Sequence, residues 1–363
     1  MRSLTSRQRL GCCFKHQELD RPGLFLRGVT ATSPQHHSYA PLRELALAKG
    51  DLKFGWQYGD LIEPMLITRS TQAYSEDFER HIRIEHTPAG DLRATYLAGL
   101  KGQPGMPEEY LLKTVADAEK YLSLPLPKVG GDMRSFFELD GEVGDRGIVE
   151  VPLGLNPGGF VAALFGSDQF ALFSIEERDV LDALMQQRTD HLLHILECLL
   201  SQGVGPYFAM LGQEYIAPPL HGPQDFRDFN VQYDRAIADR IHEAGAYLHV
   251  HCHGPLCSIL EDFVDLGADI LHPIEPPPLG DVTAKGAKAI LRGRVCIEGN
   301  IQIGDMYTES AGAIRTMVTE LIEDAFDDQR DLIVCPTASP YVPEMTSRCH
   351  DNYEALVDVV THW

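Results

Sequence analysis

The segment from His249 to Gly254 reads HVHCHG and holds the densest chemistry in the chain. Tyr247, Leu248 and Val250 suit a strand. A strand alternates its side chains between two faces, so His249, His251 and His253 share one face while Val250 and Cys252 take the other. Gly254 and Pro255 stop the strand. Each neutral imidazole carries one donor and one acceptor, and burying three such rings without partners is costly. Two readings meet that cost: a structural hydrogen-bond network, or a metal or substrate site.

The composition narrows the possible partners. A formal charge of −22 over 363 residues repels nucleic acid and anionic membrane surfaces, both of which need clustered Lys and Arg. The partner expected is therefore a small-molecule substrate. Eight cysteines are scattered without a repeated spacing, as in a protein kept reduced, and no CxxC pair occurs. The N-terminus lacks an apolar signal core, and no apolar run is long enough to span a membrane. The expectation is a cytoplasmic protein.

The elements that must position the histidines follow from periodicity. Residues 3–17 read as a short helix, followed by a first strand at 23–28, a helix closing at Gly50, and a Pro-interrupted second strand at 60–67. From 68 to 105 the pattern becomes alternating on both sides of TPAGD, a β-hairpin at about 81–97. Thereafter strand and helix repeat, with strands at 147–154, 205–212, the HVHCHG segment, 268–275, 294–300 and 331–337. Asn156 is placed to cap a helix. Eight strands alternating with helices predict an α/β fold, a single (β/α)8 TIM barrel over 1–363 with an inserted β-hairpin.

That fold gives the polar strand ends one address, because active sites of such barrels lie at the C-terminal face. The residues expected there are Arg27, Asn156, Gln213, Glu214, Tyr215, His251, His253, His272, Glu275, Glu298, Asn300, Gln302, Cys335 and Thr337. Acids, imidazoles and a thiol at one end of successive strands point to convergence on one site.

The segments HEAGAYLHVHCHG, ILEDFVDLGADILHPIEPP and CIEGNIQIGD resemble the uroporphyrinogen decarboxylase superfamily, from about Arg7 to Asn352 and most specifically from Gly203 onward. The superfamily holds tetrapyrrole decarboxylases and zinc-dependent methyltransferases that act with corrinoid proteins or thiols, and the resemblance is nearer the second branch. In that branch a His-x-Cys pair and a later Cys bind zinc, which lowers a thiol's pKa for methyl transfer. The pair falls on His251 and His253, so an imidazole replaces a thiolate; the later Cys falls near Ala338, with Cys335 three residues upstream. If a metal is bound, the resemblance implies His251 and His253 as ligands, with Glu214, Glu298 or Cys335 completing the set. Arg27 would hold an anionic group, and Tyr215 or Asn300 would orient the reacting atom.

In the decarboxylase branch no cofactor is used and an arginine cluster holds the carboxylates. Arg27 matches one position of that cluster, but the following segment reads RGVTATS, and the family's Asp, Tyr and late His have no counterpart in AALFG or CPTASP. Three functions stay open: a metal-dependent methyltransferase or demethylase of a small molecule, with a corrinoid protein or thiol as the other methyl partner; a cofactor-independent decarboxylase; and a non-catalytic barrel that binds a small ligand. Cys12-Cys13 and the helix-borne His191 and His194 are read as packing residues, and NPGGF, which lacks GxGxxG and GxxxxGK, as close packing at a helix start.

Overall fold

A computed structural model describes residues 3–29, 36–62 and 65–363. Eight parallel strands curl around a common core in the order β1-β12-β11-β10-β9-β8-β7-β2. They are β1 (Gly23–Leu24), β2 (Leu52–Gly55), β7 (Gly147–Leu155), β8 (Tyr207–Leu211), β9 (Tyr247–His251), β10 (Ile270–His272), β11 (Cys296–Ile301) and β12 (Leu332–Pro336). A helix follows each strand on the outside, from Ala40–Lys49 after β1 to Ser347–Thr361 after β12. The strands of β10, β11 and β12 are buried along their whole length, as strands covered on both faces must be. Among the described residues no single helix is long and apolar enough to cross a membrane.

Two expectations need correction. The second barrel strand is not at 60–67, part of which (residues 63 and 64) lies outside the described residues. It is β2, which pairs with β7 in the register Lys53↔Ile148. Only four residues long and carrying a lysine, it lacks the apolar run that marks a strand in sequence. The inserted element, in turn, is larger than one hairpin. It is a four-stranded antiparallel sheet, β3 (Ile67–Ala73), β4 (Phe78–Thr87), β5 (Gly90–Gly99) and β6 (Met106–Glu109). The expected hairpin is its centre, with Thr87 opposite Gly90. Leu92 of this sheet, with Leu111, Leu112 and Tyr121, packs against Val161, Phe165 and Phe170 of the helices that follow β7.

The barrel has a seam between β1 and β2, the two ends of the strand order. Asp51 closes it from both its backbone and its side chain: its N–H donates to the Leu24 carbonyl at 2.7 Å, and its Oδ2 accepts from the Leu24 N–H at 2.9 Å. The same fully buried carboxylate accepts from Arg9 at 2.6 Å and from Arg21 at 3.1 Å. Arg9 also grips Asp20 at 2.8 Å. Arg9 belongs to the N-terminal helix Ser6–Phe14, which is capped by Thr5 and Gln8. The helix's last residue, Phe14, packs on Tyr207 and Tyr247 at the start of β8 and β9. Removing one member of a buried ion pair strands the other, at about 3–5 kcal/mol. Asp51→Ala is therefore expected to lower the unfolding free energy by about that amount, measured by urea denaturation; a loss near zero would show that the seam is held by other contacts.

Candidate active site at the carboxyl ends of the strands

Inside the barrel, four charged or ionisable side chains meet at one level. Lys53 of β2 donates to Glu298 of β11 at 2.6 Å and to Glu150 of β7 at 2.9 Å. His249 of β9 places its Nδ1 3.1 Å from Glu150 and 3.4 Å from Lys53. All four are inward positions of their strands, and Lys53, His249 and Glu298 are buried. Burial opposes the lysine's charge, but the two glutamates outweigh it and hold Lys53 well above the usual lysine range. Burial likewise acts against the Glu150 carboxylate, and Lys53 and His249 outweigh it, holding Glu150 far below the usual carboxylate range. Two polar atoms at this level are left over: Glu298 Oε1 and His249 Nε2 are both buried without a hydrogen-bond partner, 4.0 Å apart.

One level nearer the mouth stand Arg27, His251, His272 and Cys335. His251 and His272 are register partners on β9 and β10, so their rings stack at 4.9 Å and their Nδ1 atoms approach to 2.8 Å. His272 Nε2 lies 3.2 Å from the Pro336 carbonyl, which assigns a proton to that nitrogen and leaves Nδ1 as an acceptor. The shared contact then needs a proton on His251 Nδ1. Arg27, which can only donate, meets that same nitrogen at 3.4 Å, so these three contacts cannot all be hydrogen bonds at once. Burial, reinforced by Arg27 and the neighbouring imidazoles, pushes His251 down to about 2 and His272 well below its ordinary value. Both rings are neutral. Burial, and then the Glu298 charge, pushes the Cys335 thiol well above its ordinary value.

His272, Glu298 and Cys335, all buried, bring one potential ligand atom each within 4.8 Å of one another. This set fits a transition ion of the zinc class: imidazole, carboxylate and thiol are its usual donors. The Glu298 oxygen lacking a donor and the crowded Nδ1 pair are the features that an ion would relieve. His251, at 2.8 Å from His272, adjoins the set.

The other expected residues lie elsewhere on the rim. His253, beyond the end of β9, pairs with Glu275 at 3.2 Å. Burial acts against the Glu275 charge, but His253 and the Gly254 N–H, at 2.9 Å, hold its carboxyl below the usual range. Glu214 accepts from the Gly212 N–H at 3.2 Å, and burial raises it. Tyr215 is exposed, whereas Asn300 is buried opposite Cys335 in the β11–β12 register. Thr337 hydrogen-bonds Gln302. Of the RGVTATS segment, residues 30–33 lie outside the described residues.

Asn156 and Gln213 form a support beneath this rim. Asn156 caps the helix Pro157–Phe165 through Gly159 N–H and donates to Asp234 at 3.0 Å, as does Gln213 at 2.8 Å. Asp234 is fully buried, and burial raises it to about 7 against the pull of those two donors.

Sequence reasoning missed Lys53 and Glu150 and treated His249 only as a face-mate of the other histidines. Lys53 was hidden by the misplaced second strand. Glu150 carried a signal: it is the single acid inside the apolar strand GIVEVPLG, where a charge is costly unless paired.

A model of the uroporphyrinogen decarboxylase (URO-D) family matches residues 161–363. No curated protein sequence matches the chain significantly. Among solved structures, a methyltransferase from Methanosarcina mazei aligns over 99% of both chains with a TM-score of 0.63 and 15% identity, a likeness of fold. A B12-independent methionine synthase from Shewanella sp. W3-18-1 aligns over 82% of this chain and 76% of its own, with a TM-score of 0.43 and 11% identity.

The buried Asp234 gives a pH-dependent expectation. Its folded value lies above the unfolded carboxyl value, so its contribution to stability is fully present below about pH 4 and is lost as pH rises through about 7. Asp234→Asn is expected to gain stability relative to the parent from about pH 4 to about pH 7 and to level off above it, at up to about 1.4 kcal/mol per pH unit, followed by urea denaturation across that range. Parallel pH profiles for the two proteins would refute the assignment.

With more than half of its length matched by the family model, and with eight parallel strands around a polar mouth, the chain belongs to the uroporphyrinogen decarboxylase family.

Proposed function

We propose that this protein is a metal-dependent methyltransferase or demethylase of a small molecule, with His272, Glu298 and Cys335 holding a zinc-class ion. The observation that carries the reading is the convergence of these three buried donors, one of which, Glu298, has an oxygen with no hydrogen-bond partner. Bound there, the ion would supply Lewis acidity, lowering the pKa of a thiol or hydroxyl group in the substrate.

The chain's own residues then have separate tasks. Lys53 fixes the other Glu298 oxygen at 2.6 Å, so the carboxylate is oriented before any ligand arrives. The Cys335 thiol, raised by burial and by Glu298, stays protonated unless a cation lies beside it. Arg27 is the half-buried cation of the mouth, 3.9 Å from Glu298 and 3.4 Å from His251, and its guanidinium fork suits a carboxylate or another planar anion. With the ion present, Arg27 and Lys53 leave the site one positive charge in excess of Glu150, Glu298 and a Cys335 thiolate. An anionic substrate balances it. His253, paired with Glu275 at the rim, is placed to exchange a proton with bound substrate.

The second methyl partner in this reading is a corrinoid protein or a free thiol. The competing reading, cofactor-independent decarboxylation, draws on the same Arg27 and on a level of charges that is already neutral without an ion: Lys53 and Arg27 against Glu150 and Glu298.

Metal content separates the two. Protein purified without a histidine tag is expected to carry about one equivalent of zinc, lost in His272→Ala and Cys335→Ala and retained in His253→Ala. Methyl transfer to a thiol should disappear with the metal in the first two variants. Metal-free protein that is fully active would overturn the proposal and favour the decarboxylase. Zinc that depends on His253 and not on His272 would move the ligands to the rim.

A further inference from the structure

The inserted sheet has an edge that the chain leaves open. β3 pairs with β4 over seven consecutive residues, Ile67↔Glu85 to Ala73↔Glu79, without a bulge, and among the described residues no strand pairs with its other side. Natural edge strands are guarded by proline, bulges, charges or short length. β3 reads ITRSTQA, with one charge and no proline. From Thr68 to Ala73 every residue is exposed.

Hydrophobic side chains flank this edge where solvent alone would disfavour them. Leu66 is 72% exposed and Tyr74 51%, and each lies four residues from Ser70. The backbone phase is fixed by the His86 N–H, which donates to the Leu66 carbonyl at 3.0 Å. Leu66 is thus hydrogen-bonded to β4, and so, alternating along the strand, are Thr68, Ser70 and Gln72. Ile67, Arg69, Thr71 and Ala73 turn their N–H and C=O groups outward.

We propose that this edge is the interface between two copies of the chain, which pair β3 antiparallel to β3 about a two-fold axis at Ser70 and join the two inserted sheets into one. In that register Leu66 of each copy stands opposite Tyr74 of the other, an aliphatic–aromatic pair of the kind that stabilises sheets. Arg69 stands opposite Thr71, so no like charges face each other. The outward groups of Arg69 and Thr71 exchange backbone hydrogen bonds, while Ser70 meets its own copy as a non-hydrogen-bonded pair, the closer of the two kinds. Such an interface is isologous, as a two-fold dimer requires, and uses strand addition. The occupant is a second copy because the edge is its own complement: apolar positions lie symmetrically about Ser70, and residues 65–75 carry only Arg69 in a chain of net charge −22. Two acidic bodies can approach there without bringing acid against acid.

Two variants test the proposal. Thr71→Pro removes an outward N–H, which an edge strand tolerates because no bond to β4 is lost. Ser70→Cys places a thiol on the axis, in a pairing close enough for a disulfide. Sedimentation velocity at micromolar concentration should show a dimer for the parent and a monomer for Thr71→Pro, with unchanged far-ultraviolet circular dichroism. Mild oxidation should convert Ser70→Cys to a covalent dimer on a non-reducing gel. A parent protein that is monomeric throughout this range would overturn the proposal. So would a dimer that survives Thr71→Pro while Ser70→Cys does not cross-link.

Discussion

The barrel is organised around one lysine that cannot leave. Lys53 sits between Glu150 and Glu298 at 2.9 and 2.6 Å, and through them ties β2 to β7 and, across the interior, to β11. Desolvating three charges costs several kcal/mol for each, which pairing recovers only if the geometry is exact to a fraction of an ångström. A barrel filled with aliphatic layers would meet no such demand. The cost therefore marks this level as something other than packing. Its product is a Glu298 carboxylate with one oxygen held by Lys53 and the other, 4.0 Å from His249, without a hydrogen-bond partner, in a residue that also converges with His272 and Cys335.

The same logic of charges in place of ladder bonds governs the seam. β1 contributes two residues and β2 four, too little for a continuous ladder between them. Asp51 substitutes for it, accepting from a backbone N–H and two arginines at once. Because Arg9 reaches Asp51 from the N-terminal helix, the element that floors the barrel also holds its edges together. Lys53 lies two residues beyond Asp51 on the same short strand, so seam and site share a support.

What could be read from the sequence follows from this division. The half of the barrel from β7 to β12 was legible because each strand there is an apolar run closed by Gly or Pro and followed by a helix of clear period. The His251 and His272 positions came with it, as did Glu298, Asn300 and Cys335, since each occupies a strand end. β2 was not legible. LKFG has no run to recognise, and its lysine reads as solvent-facing until one knows that two glutamates wait inside the barrel. The hairpin of β4 and β5 announced itself by alternation around TPAGD, whereas β3 and β6, exposed on their outer sides, alternate too weakly to be told from loop. Which donors converge was beyond reach for a different reason. The contact between His251 and His272 depends on the register of β9 against β10, which no local pattern encodes.

That register also explains how an imidazole at position 253 is compatible with a metal-based reading. His253 stands past the end of β9, turned to Glu275 at the rim, while the donors that converge lie one and two levels deeper on β10, β11 and β12. A ligand set drawn from three neighbouring strands is more rigid than one drawn from a strand end and a loop, because each donor is fixed by ladder bonds on both sides. An ion held by that set would lie beside Lys53 and Arg27, and their positive charge would favour an anionic substrate over a cationic one. In a chain of net charge −22, two cations, Lys53 and Arg27, are thus set against Glu298 at the level of those donors.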